Sequence, residues 1–183
     1  MNKRRLTTRL CQRLTDRNGR VTIAALCAVL ALITLVAYSS SFRGVFLLDD
    51  HPRIVESARI RSPRTALQDT SRPLADLTFS LNHMAGGLAP AGYHLVNLVF
   101  HIFTAWLILL FLRECLKAYA ARVPSPHRAP PSTPLAFLVA ALWAVHPLTT
   151  SSVTYIVQRY EVMMAFFYLA ALYTFLRGCQ DGE

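Results

Sequence analysis

The sequence predicts an all-α integral membrane protein with four transmembrane helices and a long extracytoplasmic first loop that contains short interfacial helices. Three observations carry this. Apolar residues make up 54% of the 183 and gather in long blocks rather than alternating runs. Hydrocarbon roughly 30 Å thick needs about 20 helical residues, and a backbone in lipid must satisfy its own hydrogen bonds, so each block reads as a helical span. Second, the charge is low and uneven: 16% of residues are charged, the net charge is +9, and residues 1–20 hold Lys3, Arg4, Arg5, Arg9, Arg13, Arg17 and Arg20 against Asp16 alone. That cluster directly before an apolar block is the positive-inside pattern, and it argues for a cytoplasmic N-terminus near anionic lipid rather than for nucleic acid. Third, prolines and glycines fall between the blocks, apart from Pro147 near the far end of the third.

The elements follow in order. Residues 1–20 form the basic cytoplasmic segment and 21–40 the first span, read as an uncleaved anchor because its apolar run from Val21 to Tyr38 exceeds a signal-peptide core. Residues 41–92 form a polar outer loop with six arginines and five acids. Within it, Arg72–Met84 reads as a short surface helix, with Pro73 in its first turn and Gly86-Gly87 stopping it. Residues 93–112 are the second span, carrying His94, Asn97 and His101 on one stripe. Residues 113–134 are a Pro-rich cytoplasmic loop, extended from Ala118 onward and carrying four basic residues and one acid. Residues 135–153 are the third span, 154–159 an outer turn, 160–176 the fourth span and 177–183 a cytoplasmic tail. This topology puts Cys11, Cys115 and Cys179 on the reducing side and leaves the long outer loop without cysteine. No cysteine pair has metal-ligand spacing.

Three motifs carry chemistry. Asp49-Asp50-His51 sits just beyond the outer end of the first span. An adjacent carboxylate pair can act as a general base or hold a divalent cation, and it can equally cap a turn. The second motif runs from Arg72-Pro73 through Asn82 to Gly92-Tyr93-His94 and Asn97. Its polar stripe suits hydrogen bonding between helices better than shared metal ligation, because His94 and His101 lie two turns apart. The third runs from His146-Pro147 through Tyr155 and Gln158-Arg159-Tyr160-Glu161. Arg159 at the start of the fourth span can hold a lipid phosphate, snorkel as an anchor or pair with Glu161. All three motifs fall on the outer face, which predicts one site roofed by the 41–92 loop. A transporter role is disfavoured, since no paired charges lie mid-span.

These ordered motifs, from Asp49-Asp50 through Arg72-Pro73, Asn82, Tyr93-His94-Leu95-Val96-Asn97 and His146-Pro147 to Arg159-Tyr160-Glu161, resemble the N-terminal part of the transmembrane and tetratricopeptide-repeat proteins. These are O-mannosyltransferase-like members of the multi-spanning GT-C glycosyltransferases, with bacterial relatives. The resemblance covers most of residues 42–177. It implies a partial GT-C membrane domain in a bacterial inner membrane. It also implies inverting transfer of a sugar from a polyprenyl-phosphate donor to a hydroxyl acceptor, such as a protein Ser or Thr, on the outer face. An outer-loop acid is then the base or metal contact, which carries over to Asp49 and Asp50 without choosing between them. Arg72, Asn82, His94, His146, Gln158, Arg159 and Glu161 are the expected substrate contacts, and Arg159 or Arg72 would stabilise the departing phosphate. No metal ligand set is expected beyond a divalent cation at Asp49 and Asp50. The family continues with more spans and often a repeat domain, whereas here no 34-residue repeat follows. The expectation is a fragment that needs further spans or subunits, or else a non-catalytic membrane protein that packs against other spans.

Overall fold

The structure is a computed structural model that describes residues 23–68, 70–122 and 132–181. Every regular element among these is helical. Helix α1 is Ile23–Ala37. Helix α2 is Pro73–Gly86, α3 is Pro90–Arg122, α4 is Ser132–Ala144 and α5 is Arg159–Asp181. Between α1 and α2 the chain folds through short turns at Ser39–Arg43, His51–Val55, Arg59–Arg61 and Pro63–Ala66. The basic segment 1–20, most of the Pro-rich linker and Gly182-Glu183 lie outside the described residues.

Two helices are long and apolar enough to cross a membrane, Pro90–Arg122 and Ile156–Gln180. A third candidate is the pair Ser132–Ala144 and Pro147–Thr154, bent by 56° at its break, and α1 is shorter still. At 1.5 Å per residue the 33 residues of α3 extend about 50 Å, well beyond the hydrocarbon. The linker expected to be extended from Ala118 is therefore helical as far as Arg122. The third block, expected to run to Val153, is a continuous α-helix only to Ala144, with a further single turn at Ser151–Thr154. Pro147 explains this, because it forces His146 into the extended conformation seen there (φ −68°, ψ 136°) and removes a helical donor.

Helix α2 matches its sequence signals closely. Pro73 occupies the first turn, and Gly87 ends the helix at φ +59°, its N–H donating to the His83 carbonyl at 2.8 Å. Only glycine adopts that φ without strain.

Helix α3 is the hub. It packs chiefly against α4 and α5 and contributes to three buried clusters. In the first, Leu30 of α1 and Leu109 of α3 meet Ala136 and Ala140 of α4. Ala136, Ala140 and Ala144 recur every four residues and are fully buried, so α4 approaches closely through a small-residue face. Trp106 Nε1 donates to the Cys27 carbonyl at 2.8 Å and ties α1 to α3. A second cluster joins Tyr38, Leu98, Ile102 and Val153. The third joins Ile54, Ile60, Phe79, Tyr93 and Ile156, and so locks the 41–92 loop onto α2, α3 and the turn before α5. Helix α5 is the least covered, with Met164, Phe167, Tyr168 and Phe175 exposed.

Candidate active site

Between α4 and α5 the chain breaks into short turns, and the polar stripe of α3 partners carbonyls in and beside that break. His94 Nδ1 lies 3.0 Å from the Val153 carbonyl, and Asn97 Nδ2 donates to the Ile156 carbonyl at 3.1 Å. His101 Nε2 lies 2.9 Å from the Ala144 carbonyl, which also accepts from Tyr38 Oη at 3.2 Å. In an apolar environment an unpaired carbonyl is costly, so three polar residues at helical spacing hold a broken segment in place. The pairing between helices expected of this stripe is thus made to backbone.

Above the stripe lies Arg159, fully buried at the start of α5. Its Nε donates to Asn97 Oδ1 at 2.8 Å and its Nη1 to Asn82 Oδ1 at 2.7 Å and Thr78 Oγ1 at 3.2 Å. Its Nη2 donates to the Tyr93 carbonyl at 2.8 Å. The guanidinium also sits 4.3 Å from the Phe79 ring centroid. Every hydrogen-bonded partner is neutral, so the fork is held by dipoles and an aromatic face rather than by a carboxylate. Asn82 and Asn97 are the other half of this arrangement. Asn82 Nδ2 also donates to the Gly92 carbonyl at 3.2 Å.

The acidic pair separates. Asp50 is fully buried, and its two oxygens accept the N–H groups of Leu47 at 2.9 Å and Val157 at 2.7 Å. It therefore pins the first loop to the turn before α5. Burial pushes its carboxyl above the usual range, against the opposing pull of those N–H groups and of His94. Asp49 points the other way and is exposed, while its backbone N–H donates to Tyr155 Oη at 3.0 Å. The residue before the pair, Leu48, has φ +42°, an uncommon conformation for a side chain of this kind. That left-handed residue turns the chain so that consecutive aspartates serve opposite sides. Gly44 permits the same loop to lie against α3. A Cβ there would stand 2.7 Å from His94 Nε2 and 2.9 Å from the Ser41 carbonyl.

Asp49 borders a cleft of about 290 Å³, also lined by Arg53, Arg72, Tyr155, Gln158 and Glu161. Arg72 lies 3.6 Å from Glu161 and stacks 4.7 Å from the centre of the Tyr160 ring. Arg53 is exposed and has no carboxylate partner among the described residues. One wall is braced by buried Asp76, which accepts from Tyr160 Oη at 2.5 Å and Thr70 Oγ1 at 2.6 Å.

Of the residues expected from sequence, the structure gathers Asp49, Arg72, Gln158 and Glu161 around this cleft. Asp50, His94 and Arg159 lie buried around it instead, with Asn82 half-buried beside them, and they hold backbone and one another. His146 is exposed and accepts the Leu148 N–H at 3.2 Å, so it caps a turn. Glu161 pairs with Arg72 rather than with Arg159. Arg53, Tyr155, Tyr160 and Asp76 were not singled out from sequence. The faint signals were Arg53 two residues after the acidic motif and Asp76 in the first turn of a Pro-started helix.

The described residues contain no group of three or more His, Cys, Asp or Glu side chains placed to hold a metal. A divalent cation shared by Asp49 and Asp50 does not fit, because both Asp50 oxygens already accept backbone N–H groups and the remaining cleft carries two arginines.

No protein-family model and no solved structure matches the chain. Curated proteins do. The chain is 31% identical to protein O-mannosyl-transferase Tmtc1 of Drosophila melanogaster, over 86% of its own length and 18% of that protein. It is 31% identical to protein O-mannosyl-transferase TMTC4 of Mus musculus over 83% of its length and 22% of that protein. It is 28% identical to protein O-mannosyl-transferase TMTC3 of Homo sapiens over 87% of its length and 18% of that protein. The chain thus spans about a fifth of the length of these relatives.

Proposed function

We propose, from the premise that the chain belongs to the family of Tmtc protein O-mannosyl-transferases, that its outer cleft is the catalytic part of a glycosyl-transfer site. The donor is a sugar on a polyprenyl phosphate and the acceptor a hydroxyl, such as that of a protein Ser or Thr. One observation carries the reading: a free carboxylate, Asp49, and two accessible guanidinium groups, Arg53 and Arg72, border one cleft.

The chemistry requires that pairing. The acceptor oxygen bonds to the anomeric carbon as the bond from that carbon to the phosphate oxygen breaks. Asp49 takes the acceptor proton as general base. The electron pair leaves with the phosphate, whose growing charge Arg72 and Arg53 stabilise through charge-assisted hydrogen bonds. Gln158 and Glu161 line the same cleft and are the partners for sugar hydroxyl groups in this reading. Arg159 takes no direct part, because it is fully buried and four of its five N–H donors bond within the protein. It positions the wall that carries Tyr155 and Gln158.

The orientation we propose has the N-terminus in the cytoplasm and four passes: α1, α3, the bent pair beginning with α4, and α5. The bonds from Asp49 to Tyr155 and from Asp50 to Val157 support it, since they bring the 41–92 loop and the 145–158 turn to one end of the bundle. The relatives' much greater length supports further spans completing the donor groove.

The test is sugar transfer from a polyprenyl-phosphate donor by membranes holding the complete enzyme. Charge removal by Asp49→Asn should lower transfer about 10²-fold or more, the scale of a lost general base. Unchanged transfer would remove Asp49 as the base.

A further inference from the structure

The Arg72 guanidinium is exposed, yet the residue that carries it is fixed on several sides. Arg72 precedes Pro73, which disfavours the helical conformation, and its backbone sits at φ −134°, ψ 56°. Thr70 Oγ1 accepts the Arg72 N–H at 3.1 Å, and the Arg72 carbonyl accepts the Asp76 N–H at 3.1 Å. The buried Asp76 carboxylate ties these contacts to α5. Its Oδ2 accepts from Thr70 Oγ1 at 2.6 Å and its Oδ1 from Tyr160 Oη at 2.5 Å. Phe79 meets the Tyr160 ring edge-on, with 5.5 Å between centroids, and holds it from a second side. The centre of that ring then lies 4.7 Å from Arg72 Cζ, and both residues line the cleft.

We propose that Tyr160 is a positioning residue of the transfer site: locked by Asp76, its ring holds the Arg72 guanidinium at the cleft as an available cation. The inference rests on the reading that Arg72 stabilises the departing phosphate, and it adds what sets that cation's position. A free arginine side chain has about 2 kcal/mol of rotamer entropy to lose when it is ordered. An aromatic face restricts it in advance, because the ring quadrupole attracts the cation. Unlike a carboxylate, the ring does not neutralise the charge or occupy the N–H donors that a phosphate needs. The nearby carboxylates leave Arg72 available. Asp76 is bonded to Thr70 and Tyr160, and the cation it pairs with is Arg59 at 3.8 Å. Glu161 lies 3.6 Å from Arg72, but both side chains are about half exposed, and such a contact yields readily to a phosphate. A brace between α2 and α5 would need the Asp76–Tyr160 bond alone, and no guanidinium against the ring.

A double-mutant cycle tests this, with sugar transfer from a polyprenyl-phosphate donor measured per folded enzyme in membranes holding the complete enzyme. Tyr160→Leu removes the ring and should lower kcat about fivefold or more, the scale of a lost cation–π contact, with a smaller change in KM for the donor. Added to Arg72→Ala, it should lower transfer no further. Tyr160→Phe keeps the ring and its packing against Phe79 but frees it from Asp76. It should lower kcat by a smaller factor, again only while Arg72 is present, and it carries the test if Tyr160→Leu does not fold. A merely structural Tyr160 would cost the same factor in both backgrounds, and that result would overturn the proposal. Full activity of Tyr160→Leu with Arg72 in place would do the same. A failure of the catalytic reading looks different: Arg72→Ala alone would leave transfer unchanged, which removes the cation's role and the ring's role with it.

Discussion

Asp49 and Asp50 are neighbours in sequence and opposites in structure, and the same contrast separates Arg72 from Arg159. Asp50 and Arg159 form a buried layer in which nearly every polar atom holds backbone or an amide. Asp49 and Arg72 form an exposed layer directly above it, facing a cleft. The buried layer fixes the loop against α3 and the turn before α5, and the exposed layer is left with unspent charge. Identical side-chain chemistry thus serves architecture in one layer and stays accessible at a cleft in the other. Burial and satisfied bonds decide which.

If this division is right, substitutions in the lower layer act on stability first. The largest effect is expected for Arg159→Met, which strands two buried and two half-buried acceptors and should cost on the order of 3 kcal/mol. Thermal unfolding of the purified chain measures it. Arg159→Lys should recover only part, because an ammonium lacks the planar fork. A loss of stability no greater than that of a surface variant would break the comparison.

Next comes Asp50→Ala, which frees the Leu47 and Val157 N–H groups and should cost about 2 kcal/mol. Gly44→Ala should cost about 1 to 3 kcal/mol by forcing a Cβ against the His94 ring and the Ser41 carbonyl. Denaturant midpoints of both variants, compared with an exposed control at Leu81, sharpen the ranking.

The smallest effect is a pH slope. Burial raises the Asp50 carboxyl, so the folded state keeps its proton to a higher pH than the unfolded chain. That contribution to stability is full below the ordinary carboxylate value and is lost as pH rises through the raised one. The melting temperature should therefore fall across that window, and Asp50→Asn should flatten the fall. A slope unaltered by the substitution would place the titrating group elsewhere.

Much of this architecture was legible in the sequence, for identifiable reasons. Pro73 and Gly86-Gly87 bound α2 because backbone geometry at those residue types is nearly independent of context. The long apolar blocks marked α3 and α5 because only length and hydropathy decide whether a helix can span. The stripe of His94, Asn97 and His101 was visible as a face, yet its partners are carbonyls of Ala144, Val153 and Ile156, more than 40 residues away. The orientation of Asp49 against Asp50 was hidden, since it turns on the single left-handed residue Leu48. The inward course of Arg159 was hidden too. Its cage draws on α2 and α3, and a basic residue at a helix start looks the same from sequence whether it anchors, binds or braces.

The most direct measurement of the central claim is a paired assay on Asp49→Asn in the complete enzyme: sugar transfer in membranes and thermal stability of the purified protein. Asp49 is exposed, so stability should change by no more than about 0.5 kcal/mol while transfer falls about 10²-fold or more. Full transfer by Asp49→Asn, or a loss of transfer matched by a loss of fold, would contradict the assignment of chemistry to the upper layer.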